Sequence, residues 1–198
     1  MGALEVAFAL LMGFSLAATC GLRAFLPLFI ISLAAKAGMI TLASGFDWMA
    51  SYPALICFGS ATMLEILGDK IPAMDHVLDA AGAFVRPVAG AVAASSLVRG
   101  MDPLLALALG IIMGAAVAGI VQALKGTLRI LSTAATGGIA NPVLSAAEDG
   151  TTAVAGILGL IVPYVTGVLI LLGLLVGGRT LFGRLKRSKP GASGTGEP

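Results

Sequence analysis

Arg23 stands inside an apolar run that extends from Val6 to Ala35, with Gly21 and Pro27 on either side of it. A guanidinium carried into the middle of a bilayer costs about 2.5–3.5 kcal/mol on insertion scales. Pro27 removes a backbone donor close to the same depth. A charge and an interrupted helix at one level are tolerated where protein or a water-filled cavity surrounds them, which makes this stretch a candidate site for an anion or an internal carboxylate. Two sets of acids could serve it. Glu65 and Asp69 are four residues apart and share a helix face, an arrangement suited to proton carriage or cation binding. Glu148 and Asp149 follow a second interruption, Gly137-Gly138-Ile139-Ala140-Asn141-Pro142, where the Asn141 amide and freed backbone groups could coordinate an ion or solute.

Each of these residues also has a plainer reading. Arg23 could snorkel its head to the lipid phosphates. Asp69, beside Lys70, could close a helix near solvent, and Asp149 could cap the helix that follows it. Lys125 and Arg129 are either topology charges or internal partners of the acids. Glu65, Asp69 and Asp75 are the candidate ligands for a hard divalent metal. With His76 the only histidine, catalytic zinc is disfavoured. No nucleophile motif, phosphate loop or dinucleotide fingerprint is present, and Ser95, Ser96 and Ser145 have no nearby catalytic histidine. No cofactor is expected, and the enzyme reading is weak.

The elements that must position these groups follow from composition. The chain has 198 residues, 58% hydrophobic and 11% charged, with a mean hydropathy of +1.03. A soluble domain of this length cannot hide so much apolar surface, and the apolar runs are continuous rather than alternating. The expectation is an all-α polytopic transmembrane bundle of five or six spans with broken helices. The first segment, Leu4 to Lys36, is too long for one upright span and should break or kink between Gly21 and Pro27. A second runs from Pro53 to Gly68, and Trp48 before it suits a membrane–water interface. Pro72 should stop a helix, with a short surface helix over His76–Phe84. Further segments are expected from Pro87 to Val98, Pro103 to Leu124, Thr127 to the break at Thr136–Pro142, and Thr151 to Val176 with a kink at Pro163. Gly90 with Ala94, and Gly110 with Gly114, offer small-residue faces.

Ala18-Thr19-Cys20-Gly21-Leu22 aligns with Ala135-Thr136-Gly137-Gly138-Ile139, each followed by a proline and later by acids. This candidate twofold repeat divides the chain into halves at about 4–80 and 87–178, and paired broken helices point to a transporter-like midplane site. One transmembrane domain over 1–178 is expected, with a basic and then disordered tail over 179–198. Five of the twelve basic residues lie in that tail, which leaves seven basic against nine acidic residues over 1–178, Glu197 being the tenth acid. The bias places the C-terminus in the cytoplasm. Cys20 and Cys57 show neither metal-ligand spacing nor a disulfide framework. The apolar start has no basic residue before it and reads as a retained helix rather than a cleaved signal.

Three stretches together carry a resemblance: Gly21-Leu22-Arg23-Ala24-Phe25-Leu26-Pro27, Glu65-Ile66-Leu67-Gly68-Asp69-Lys70-Ile71-Pro72-Ala73-Met74-Asp75, and Gly137 to Pro142 followed by Glu148-Asp149. With them the chain, from about Leu4 to Val176, resembles the bacterial membrane family called domain of unknown function 4126. The resemblance implies a multi-pass protein of the bacterial inner membrane and no mechanism. The residues themselves point to a small transporter or channel for an ion or small polar solute, acting as a homodimer in the lipid bilayer and without nucleic acid. The alternatives are a membrane scaffold whose buried charges are structural ion pairs, and a membrane-embedded metal-dependent enzyme.

Overall fold

Helix α1 (Ala3–Cys20) is the axis against which most of the other helices pack. Its second half, from Ser15 to Cys20, is buried at every position and so has no outward face. In the computed structural model, which describes residues 2–69, 72–100 and 102–187 apart from the side chains at 3, 72, 73, 75, 76 and 180–187, the regular elements among the described residues are all helices, with no strand. After α1 come α2 (Phe25–Lys36), a 3-10 turn (Asp47–Ala50), α3 (Tyr52–Gly68), α4 (Pro72–Leu97), α5 (Pro103–Thr136), α6 (Asn141–Ile161) and α7 (Pro163–Arg187).

Close approaches fix the helix directions. A Cβ on Gly13 would meet Ala94, whereas one on Gly21 would meet the Ala118 carbonyl and Val121, both at 2.5 Å. On α4 and α5, Gly90 abuts Gly114 and Ala118, and Ser95 abuts Gly110. So α4 runs antiparallel to α5, and α1 runs antiparallel to α4. Gly159 lies against Ser15 and Leu16, and Gly167 against Leu11 and Ser15, with Tyr164 donating to the Leu4 carbonyl at 3.0 Å. The C-terminal end of α1 is therefore level with the start of α6 and the second half of α5. The opposite end of the bundle holds residues 98–100 and 102–103 and the Ile161–Pro163 junction.

Several expected boundaries move. Pro87 does not open a helix but lies inside α4, which also absorbs the expected surface helix over 76–84. The proline deprives the Ala83 carbonyl of its usual donor, yet burial of Ala89, Ala93, Ala94 and Leu97 on the continuing helix offsets the loss. No boundary falls at Lys125-Gly126 or Thr127: α5 runs through as 34 residues, about 51 Å at 1.5 Å per residue. Lys125 and Arg129 are buried in it, so this polar stretch marks the interior and not a loop. Pro163 breaks the chain at Val162 rather than kinking one helix, and α7 continues to Arg187, past the expected end at Val176. Residues 188–198, with Lys189, lie outside the described residues.

Side-chain polarity is inverted relative to a water-soluble bundle. Ile112 is 68% exposed, Ile130 71% and Ile139 84%, whereas Arg23 is fully buried and Arg86, Lys125 and Arg129 nearly so. Two helical stretches, Val77–Leu97 and Pro103–Thr136, are long and apolar enough to cross a membrane.

Gly90→Val places a Cβ 2.5 Å from that of Ala118 and 2.6 Å from the Gly114 carbonyl oxygen, and overpacking of this kind costs about 1–3 kcal/mol. Gly126 has nothing within 4 Å of an added Cβ, so Gly126→Ala should hold or gain up to about 1 kcal/mol by helix propensity. Thermal unfolding of the purified full chain checks both. Equal losses at the two positions would contradict the α4–α5 contact.

Candidate functional site: a buried ion-pair network

The four-residue break between α1 and α2 sets one cation and two backbone donors against the end of α3. Glu65, in the last turn of α3, accepts from the Ala24 N–H at 2.9 Å through Oε1 and from the Phe25 N–H at 3.1 Å through Oε2. These N–H groups open α2 and have no partner within that helix, so the carboxylate caps it and complements its dipole. Pro27 falls in the same first turn, where its missing donor loses nothing. Gly21 is required by proximity to α5 rather than by its φ of −67°.

Arg23 meets Asp69 at 2.5 Å through Nη1 and Asp149 at 2.7 Å through Nε, and its Nη2 donates to the Ser145 hydroxyl at 2.9 Å. The Asp69 Oδ2 also lies 3.4 Å from Arg129 Nη2 and accepts from the Ser145 hydroxyl at 3.4 Å. Its Oδ1 is buried without a hydrogen-bond partner among the described residues. Arg129 continues to Asp79 Oδ2 at 2.6 Å and Glu148 Oε2 at 3.7 Å. Lys125 pairs with Glu148 at 2.9 Å, approaches Asp79 at 3.9 Å and donates to the Leu22 carbonyl at 3.2 Å. Arg86 reaches Asp79 at 3.5 Å and donates to the Gln122 side-chain oxygen. Gly82, one turn before Arg86, leaves the space in which that guanidinium lies.

The network therefore runs Asp149–Arg23–Asp69–Arg129–Asp79. Its centre has no exposed side-chain surface, while Asp149 is 21% exposed and Asp79 34%. A cavity of about 280 Å³ between α1, α5, α6 and α7 reaches it at Lys125 and Glu148, with Leu22, Leu124 and Leu174 among its apolar walls.

Of the residues singled out from sequence, Arg23, Glu65, Asp69, Glu148 and Asp149 converge, and Lys125 and Arg129 join them as internal partners. Asp149 does not cap a helix: it sits well inside α6 and faces Arg23. Asn141 stays apart, donating to the Thr133 hydroxyl at 3.1 Å across the α5–α6 turn. Gly137 and Gly138 make that turn, with φ of 63° and 90°, and Pro142 lies in the first turn of α6. The Asp75 side chain lies outside the described residues. Glu65 and Asp69 address different donors, and among the described residues no three His, Cys, Asp or Glu side chains are grouped to hold a metal ion. Asp79, Arg86, Gln122 and Ser145 are members that their types alone did not reveal. Their spacing does: Gln122, Lys125 and Arg129 lie three and seven apart, as do Ser145, Glu148 and Thr152, each set on one helix face.

These features define a class: an all-helical bundle with an apolar exterior and a charged, ion-paired interior. The family model described as domain of unknown function (DUF4126) matches residues 10–182, and the chain belongs to that family. Comparison with curated proteins and with solved structures finds no match.

Removing one partner of a buried pair leaves an uncompensated charge and costs about 3–5 kcal/mol, while replacing both by apolar groups is often neutral. Asp69→Leu should therefore destabilise the fold by that amount, and Arg23→Met with Asp69→Leu should recover most of it, because Asp149 retains access to solvent. A double-mutant cycle on thermal stability measures this. A pair as unstable as the sum of its single variants would refute the coupling.

Proposed function

We propose that the protein is a small multi-pass membrane transporter or channel for an ion or small polar solute, with Arg23 and Asp69 at the centre of its path. The observation that carries this reading is the relay of alternating charge that joins two partly exposed carboxylates, Asp149 and Asp79, through a buried centre. The free Asp69 Oδ1 is the position where a proton or hydrated cation would bind. The membrane setting is supported by the apolar exterior and by the two helices long enough to cross. On this reading α1, α3, α4, α5, α6 and α7 are six spans, and α2, at 12 residues, is a half-helix that returns from the break. A bacterial inner-membrane location, a cytoplasmic C-terminus, a twofold repeat and a homodimer complete the proposal, although the Gly90–Ala94 and Gly110–Gly114 faces expected to serve the dimer are buried in the α4–α5 contact.

A second reading, a scaffold with structural ion pairs, is favoured by one feature: the charges are mutually paired and Arg23 has no exposed surface. The two readings separate in proteoliposomes. If the relay conducts, the near-isosteric Asp69→Asn and Glu148→Gln should each lower flux of a proton, alkali cation or small anion at least tenfold, measured on the fraction of protein that stays folded and extractable. Wild-type flux in both variants would remove the transport reading.

A further inference from the structure

A further cation, Arg99, lies at the opposite end of the bundle. Arg23, Arg86, Lys125 and Arg129 all meet carboxylates, but Arg99 has neither a hydrogen-bond nor an ion-pair partner among the described residues, and its Nε is buried. It lines two cavities at once. One, of about 720 Å³, lies between the loop at Leu42–Phe46 and the start of α5, with Val98 and Leu107 among its apolar walls. The other, of about 460 Å³, is bordered by Phe8 and Tyr164. Of the carboxylates at this end, Glu5 in the second cavity accepts from the Gly2 N–H at 3.1 Å, and Asp102 caps α5 by accepting from the Leu104 and Leu105 N–H groups at 3.0 and 3.1 Å. An apolar chamber within the volume range of ligand sites, with one unpaired guanidinium at its edge, matches an amphiphile that has a negative head.

We propose that Arg99 binds the headgroup phosphate of one anionic phospholipid, one of whose two acyl chains occupies the larger cavity. This site rests on the membrane reading above but is independent of the charge relay. The test uses the full chain in vesicles of mixed phosphatidylglycerol and phosphatidylcholine, followed by detergent extraction, delipidating washes and native mass spectrometry. The expected result is one retained phosphatidylglycerol per chain, retention about tenfold lower in Arg99→Gln, and partial retention in Arg99→Lys. Ser44→Trp, at an exposed position on the cavity wall, should also reduce retention with the arginine intact. Wild-type retention in Arg99→Gln, or equal retention of phosphatidylcholine, overturns the proposal. So does binding of inorganic phosphate that is indifferent to Ser44→Trp, because the ligand would then be a free anion. A chain that washes from the vesicles in carbonate overturns the membrane reading itself, a result distinct from the loss of lipid selectivity in an integrated chain.

Discussion

The fold depends on burying Arg23 with its charge intact. A guanidinium fully removed from solvent is tolerable only if acceptors surround it on several sides, and here they come from the end of α3 and the first half of α6. Neither element could move by a helical turn without leaving that charge bare. The same break in the chain presents the Ala24 and Phe25 N–H groups, which Glu65 takes up. Two chemically different clasps, an ion pair and a helix cap, thus join α3 to the break from carboxylates one turn apart.

That arrangement explains why α1 stops where it does. Were the helix to continue through residues 21–24, the Ala24 and Phe25 N–H groups would be spent on the preceding turn and Glu65 would be left buried without donors. Gly21 lets the end of α1 come so near α5 that the Leu22 carbonyl becomes an acceptor for Lys125. A small residue at one position therefore couples the α1–α2 break to the second half of the network.

Much of this could be read in the sequence because charge is costly in an apolar run. Arg23, the two acid sets and the breaks at Gly21 and Gly137-Gly138 each stand out against their surroundings. What escaped was of two kinds. Lys125 and Arg129 stood out as possible partners of the acids, but the polar stretch that carries them reads equally as a loop, and only packing shows that α5 passes through it unbroken. Arg86 and Asp79 precede or flank Pro87, whose usual place at a helix start divided them from the helix they belong to. In both cases the local signal was outweighed by tertiary contacts: ion pairs in the first, the α4–α5 small-residue seam in the second. The apolar periodicity that marks a soluble core was of little help here, because apolar side chains fill the core and cover the outside alike. The polar residues carry the helical period instead.

The manner of pairing bears on what the network does. A clamp that only held helices together would be served by exclusive two-pronged pairs, which gain most from fixed geometry. Here partners are shared. Asp69 Oδ2 lies between Arg23 and Arg129, Glu148 Oε2 between Lys125 and Arg129, and Asp79 among Arg86, Lys125 and Arg129. In such a set one contact can lengthen as another shortens, so no charge need pass through an unpaired state. That lowers the cost of rearrangement in a low-dielectric interior, where an isolated charge would be prohibitive. On the transport reading proposed above, neighbouring arrangements of this interior would differ little in energy, and a solute or proton that binds one of them more tightly would shift the population between them.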